Sequence, residues 1–193
     1  ATEEEIQEAV DAARESGCKN LCLLKCTSTY PASPKNSNVS TIRDIKTRFG
    51  CEAGLSDHTM GVGVAVAAIA HGASVVEKHF TLCRADGGVD SSFSLEPAEM
   101  QSLVVETKRA WESLGSPTYG TTEAEKKSLI FRRSIYVSED IKAGTTFSEK
   151  NLRIVRPSLG LHPRDWDALI GKPAVRDIKR GEPASLNMVK PMN

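Results

Sequence analysis

Gly54-Leu55-Ser56-Asp57-His58 and, one helix-length stretch later, Val75-Val76-Glu77-Lys78-His79-Phe80 are two strand-like runs, each tipped by a histidine. Side chains alternate faces along an extended strand, so Ser56 and His58 point one way and Glu77 and His79 do the same on the next strand. Parallel neighbours lie about 4.8 Å apart, and two imidazoles at equal heights then reach one ion through bonds of about 2.1 Å. The pattern predicts a divalent metal held by His58 and His79. Either histidine alone would read as a surface or hydrogen-bonded core residue; the matched ends point to the metal.

Outward from this pair the chain alternates. Thr2 followed by Glu5 is a capping box, and Ile6, Ala9, Val10 and Ala13 recur at helical spacing until Gly17. A strand is expected over 20–27, a helix over 40–49, a strand over 52–56, a helix over 62–71, a strand over 74–80 and a helix over 97–114. Strand and helix in close order give parallel α/β architecture, with polar residues gathered after the strands' carboxyl ends. Three strands cannot close a barrel, so this is either a small open sheet or a sheet whose other strands are missing. The first residue is not methionine and the chain opens directly into a helix, which reads as a piece of something longer.

Composition narrows the classes. Of 193 residues, 39% are hydrophobic and 26% charged, and Lys plus Arg balances Asp plus Glu at 25 each. No net field favours nucleic acid or an anionic membrane, so an anionic ligand must be held locally. No apolar run approaches the roughly 20 residues of a membrane span, and the start lacks a secretion-signal layout; the expected location is cytoplasmic. The five cysteines suggest no disulfide framework, and Cys18, Cys22, Cys26, Cys51 and Cys83 read as reduced, small packing residues.

After Leu114 the composition shifts. Gly115-Ser116-Pro117 and the polar stretch 121–127 form a linker. Beyond it Asp140-Ile141-Lys142-Ala143-Gly144 recurs as Asp177-Ile178-Lys179-Arg180-Gly181, each copy leading to Val-Arg-Pro (155–157) or Val-Lys-Pro (189–191). This predicts a compact, pseudo-symmetric β module, too small for a large core and expected to pack on something.

Lys25-Cys26-Thr27-Ser28-Thr29-Tyr30-Pro31, then Gly54 to Thr59, Glu77 to Thr81, Gly88-Val89-Asp90 and Phe93 to Pro97, in this order and followed by the repeat module, resemble the sialic acid synthase (NeuB-like) family. Cys-Thr-Ser-Thr-Tyr-Pro-Ala (26–32), Asp-Ser-Ser-Phe-Ser-Leu (90–95) and Arg-Pro-Ser-Leu-Gly-Leu-His-Pro (156–163) look closest to its pseudaminic acid synthases. The resemblance implies the C-terminal part of a (β/α)8 TIM barrel over 1–118, supplying strands six to eight, a linker over 119–130, and a small β-rich antifreeze-like (SAF) domain over 131–193. It implies a transferase that condenses phosphoenolpyruvate with an acylated amino sugar, giving a nine-carbon ulosonic acid of the pseudaminic or sialic acid type and phosphate with a divalent metal such as Mn, Mg or Co. The groups that hold the phosphate lie mostly outside this stretch in the family, so the chain alone is expected to be inactive.

By the same comparison His58 and His79 match the metal ligands. Glu77 is the candidate carboxylate that stabilises positive character beside the new bond and deprotonates water, or else an ion-pair partner. Ser56 matches a phosphoenolpyruvate contact; Ser28 and Tyr30 match substrate-lining positions, although Tyr30 also reads as rim packing. Asp90 resembles a residue bonding sugar hydroxyls, or stabilises a turn. Arg156 matches an arginine reaching the sugar of the neighbouring subunit, implying a domain-swapped homodimer, or is a surface arginine. Asp57 and Lys78 should face away from the site. Two other classes fit the residues: a metal-dependent pyruvate aldolase, and a non-enzymatic carbohydrate-binding module.

Overall fold

Thr2 starts the first helix as the sequence predicts: its backbone N–H donates to Glu5 (2.7 Å) and its hydroxyl accepts the Glu5 amide, opening α1 (Glu3–Glu15). The structure, a computed structural model, describes residues 1–190 and falls into two units, Ala1–Pro117 and the remainder from Thr118. In the first, α1 is followed by β1 (Cys22–Cys26), α2 (Thr41–Phe49), β2 (Glu52–Asp57), α3 (Gly63–Ala70), β3 (Val76–Lys78) and α4 (Pro97–Ser113). The strands form one parallel sheet in the order β1-β2-β3. That is the βα alternation expected, and the fold reading is borne out.

Apolar residues on the helices' inner faces make the core. Val10 of α1, Ile42 and Ile45 of α2, Ala65 and Ala68 of α3 and Leu103 of α4 bury against Ala53 and Leu55 of β2. Arg14 reaches from α1 to the end of α2 and donates to the Phe49 carbonyl (2.7 Å), a cation placed on a helix C-terminus. Gly50 then turns the chain at φ +59°. Gly54 has a different duty. A Cβ there would land on the Val75 carbonyl oxygen, whose hydrogen bond from the Leu55 amide (2.9 Å) joins β2 to β3, so only glycine lets these strands approach.

Two expectations are corrected here. The third strand is three residues long, not seven: its ladder with β2 covers Val76 to Lys78, and beyond it the chain bridges to its own return at Phe80 and Leu95. The cysteines are reduced, but Cys18, Cys22 and Cys26 are exposed and Cys51 and Cys83 half-buried, so the first three are not packed. Cys22 and Cys26 sit on β1, which has a strand on one side only.

The second unit begins with a 3-10 segment, Glu123–Phe131, opened by its own Thr122/Glu125 capping box, and continues into β4 (Ser134–Val137), antiparallel to β5 (Leu152–Val155). Ile135, Phe147, Leu152, Leu169, Ile178 and Met188 are buried together. The two Asp-Ile-Lys copies pair with each other. Ile141 and Ile178 exchange backbone hydrogen bonds (2.9 and 2.8 Å). Lys142 reaches Asp177 (2.7 Å) while Lys179 reaches Asp140 (2.8 Å). The amides of Ala143 and Arg180 donate to those same carboxylates, each at 2.9 Å. Gly144 and Gly181 turn the two copies identically, at φ +86° and +88°. Pro191, the end of the second copy, lies outside the described residues. Among the described residues no helix is long and apolar enough to cross a membrane.

Candidate active site

β2 and β3 pair in a register that sets Ser56 opposite Glu77 and Asp57 opposite Lys78. His58 and His79 each follow one residue later. The alternation of a pleated strand then brings the imidazoles side by side, with ring centroids 5.1 Å apart and planes inclined at 62°. On the same face the Ser56 hydroxyl donates to Glu77 Oε1 at 2.7 Å.

Both histidine backbones are tied down. The His58 carbonyl accepts the Ala32 amide (2.8 Å), and the His79 carbonyl accepts the Leu95 amide (2.8 Å). His58 is 6% exposed, and its Nδ1 stands 3.0 Å from the Thr27 carbonyl oxygen. A carbonyl can only accept, so Nδ1 carries a proton and Nε2 is the nitrogen of this ring turned to other partners. Cys26 Sγ lies 3.9 Å from the same Nδ1, and Ser28 Oγ lies 3.6 Å from that sulfur. His79 is more open, with Nδ1 3.6 Å from Asp90 Oδ2.

Tyr30 leans over both rings, its centroid 4.3 Å from His58 and 6.0 Å from His79. Phe93, 4% exposed, backs His79 at 5.1 Å and Tyr30 at 5.8 Å. Sequence reasoning assigned Phe93 no role; the signal was its place three residues after Asp90 in the loop that follows β3. Arg84 closes that loop. Its guanidinium donates to the Ser94 carbonyl (3.0 Å) and to Glu99, while its amide donates to Glu96 (2.8 Å). The Glu96 amide donates in turn to the Glu99 carboxylate, which with Arg84 holds that carboxyl below the usual carboxylate range.

The structure thus brings together His58, His79, Glu77, Ser56, Tyr30 and Asp90, with Ser28 at the border through Cys26. Arg156 belongs to the second unit, where it is exposed beside Arg133, Ile154 and Val155 in a shallow cavity of about 510 Å³. Asp57 and Lys78 face the other way, as their alternate positions dictate, and form an ion pair of 2.7 Å with both side chains 1% exposed. Among the described residues no group of three or more His, Cys, Asp or Glu is disposed to hold a metal, which leaves two imidazoles as the protein's nitrogen donors here. A cavity of about 580 Å³ lined by Gly72, Ala73 and Ser74, ahead of β3, lies at the opposite end of the sheet from the histidines.

Comparison with known proteins gives this geometry a context. Residues 1–119 match the NeuB family and residues 132–190 the SAF domain. The chain is 43% identical over 182 residues to the pseudaminic acid synthase of Campylobacter jejuni, covering 94% of this chain and 53% of that protein. It is 36% identical to the N,N'-diacetyllegionaminic acid synthase of the same organism, covering 92% and 54%. A solved N-acetylneuraminic acid synthetase from Leptospira borgpetersenii superposes with a TM-score of 0.60 at 33% identity, over 67% of this chain and 45% of that one. The chain spans about half the length of the curated relatives it matches. With the family's residues matched over the α/β unit and a SAF domain after it, the chain belongs to the NeuB family.

Proposed function

We propose that this chain carries the metal-binding and water-activating part of a synthase that condenses phosphoenolpyruvate with an acylated amino sugar of the pseudaminic acid type, releasing phosphate. The observation that carries this reading is the pair of imidazoles 5.1 Å apart with Glu77 aligned by Ser56 two rungs below, on the same face. The donor set suits a divalent first-row ion or Mg: two neutral nitrogens, with positions left open for substrate oxygens and water. His58, its Nδ1–H hydrogen-bonded to the Thr27 carbonyl, offers Nε2; His79 stands beside Asp90. When bound, the ion supplies Lewis-acid polarisation of the sugar's aldehyde oxygen.

The chain's own residues do the rest. Tyr30 and Phe93 wall the volume over the imidazoles. As the enol carbon of phosphoenolpyruvate bonds to the aldehyde carbon, the carbonyl pair moves onto the aldehyde oxygen, which takes up a solvent proton to become a hydroxyl, and positive charge develops at the carbon next to the former enol carbon. The Glu77 carboxylate stabilises that charge and takes the proton of the water that adds there, after which phosphate leaves. Ser56 has one hydroxyl proton, and its hydrogen bond is now directed to Glu77. An arriving phosphoenolpyruvate oxygen would take it, freeing the carboxylate as the substrate binds. Ser28 lines the sugar side, Asp90 accepts from sugar hydroxyls, and Arg156 of a second protomer closes the site in a domain-swapped homodimer in the cytoplasm.

Phosphate release by the complete protein, given phosphoenolpyruvate and the amino sugar, tests the reading. Turnover with His58→Ala or His79→Ala unchanged from the parent overturns it. Product formation from pyruvate without phosphate indicates an aldolase instead.

A further inference from the structure

We propose that the buried Asp57–Lys78 pair is a positioning device that locks the register of β2 and β3 and so sets the spacing of His58 and His79. The inference rests on the metal reading above and adds residues on the opposite face of the sheet. Burying two charges costs several kcal/mol per ion, and an apolar pair of similar volume holds two strands together at least as well. What an apolar pair lacks is direction.

The sheet needs direction at this point. β3 meets β2 through three rungs only, Leu55 with Val76, Ser56 with Glu77 and Asp57 with Lys78. A slip of one residue would turn every side chain of β3 to the other face, burying His79 and sending Lys78 into the site. The ion pair opposes this slip at the rung next to the imidazoles. It also brackets His58 from both sides. Asp57 precedes it, and Asp57 Oδ1 accepts from the Thr59 amide (2.9 Å) and the Thr59 hydroxyl (2.8 Å) after it. Lys78 Nζ donates to the Thr59 carbonyl as well as to Asp57. One lysine from β3 therefore holds the residues on either side of one histidine and itself precedes the other.

The double variant Asp57→Asn/Lys78→Met in the complete protein tests this. It removes both charges, keeps an Oδ1 acceptor for Thr59, and leaves no lone buried ion. We expect a melting temperature close to the parent's, Mn2+ affinity about 10- to 100-fold weaker, and an altered electron paramagnetic resonance line shape of the bound Mn2+. Parent affinity with an unchanged line shape overturns the proposal. Asp57→Glu keeps both charges and lengthens the arm by one methylene. It is expected to weaken Mn2+ about tenfold, and full retention of affinity sinks the idea even if the double variant does not fold. His58→Ala and His79→Ala, measured alongside, should abolish binding. If they bind Mn2+ like the parent, the metal reading itself fails, whereas loss there with parent affinity in both Asp57 variants removes only the positioning role.

Discussion

In the second unit, Asp140 and Asp177 each receive a lysine and a backbone amide from the other copy of the repeat, so the charges of one copy are answered by the other. At the end of β2 and β3 the treatment is reversed. Glu77 receives its hydrogen bond from a neutral serine, and His79 stands 3.6 Å from Asp90, beyond a hydrogen bond. Behind that face the Asp57–Lys78 pair is closed and almost solvent-free. The same residue types make a self-complementary clasp in one region and an open, outward-aimed set in the other. The difference is between charges arranged to satisfy each other and charges arranged to meet something else.

The largest effect that could break this contrast is on chemistry. Glu77→Gln keeps the shape and the Ser56 contact but removes the charge; turnover by the complete protein should fall about 10²–10⁴-fold with little change in melting temperature. Near-parent turnover would make Glu77 one more internally satisfied group. Next come the two glycines that allow close backbone approach, one in each unit. A Cβ at Gly160 would meet the Ile135 carbonyl, as one at Gly54 meets that of Val75. Gly54→Ala and Gly160→Ala should each cost about 3 kcal/mol in denaturant titration. Hydrogen exchange should report the losses separately, Gly54→Ala in β2 and β3 and Gly160→Ala in β4.

A smaller effect sharpens the clasp. Lys142 and the Ala143 amide depress the Asp177 carboxyl, and the Arg180 amide with Lys179 depresses that of Asp140. Groups with lowered folded-state values contribute stability above their unfolded value of about 3.9 and lose it as pH falls through the folded value. The second unit should hold its stability from neutrality down to about pH 4 and lose it below, and Asp140→Asn/Asp177→Asn should flatten that loss. An identical acid profile in the variant would show that the clasp contributes nothing. The smallest effect is Thr2→Ala, expected to cost about 1 kcal/mol by removing the α1 cap, again by denaturant titration.

Much of the first unit was legible because its information is local. The period of two in Ser56-Asp57-His58 and Glu77-Lys78-His79 already separated the site face from the ion-pair face, and Thr2 with Glu5 marked a helix start. What was not legible depends on partners far along the chain. The brevity of β3 and the exposure of Cys22 and Cys26 follow from which strands lie beside them, and nothing within either segment encodes that. Phe93 was missed because a phenylalanine in a polar loop carries no periodic signal; its role comes from Arg84 closing the loop upon Glu96 and Glu99. The repeat was visible, but its reciprocal pairing needed the two copies brought face to face.

The amide hydrogen bonds from Ala32 and Leu95 to the carbonyls of His58 and His79 have a consequence for evolution and engineering. The segments that carry Tyr30 and Phe93 are stitched to the backbone of the residues they shelter, so a change in their length would drag the imidazoles with it. In the synthase proposed above, sugar selectivity would therefore be altered most easily by exchanging side chains at fixed length, and grafting longer or shorter segments from a relative would shift selectivity and metal affinity together.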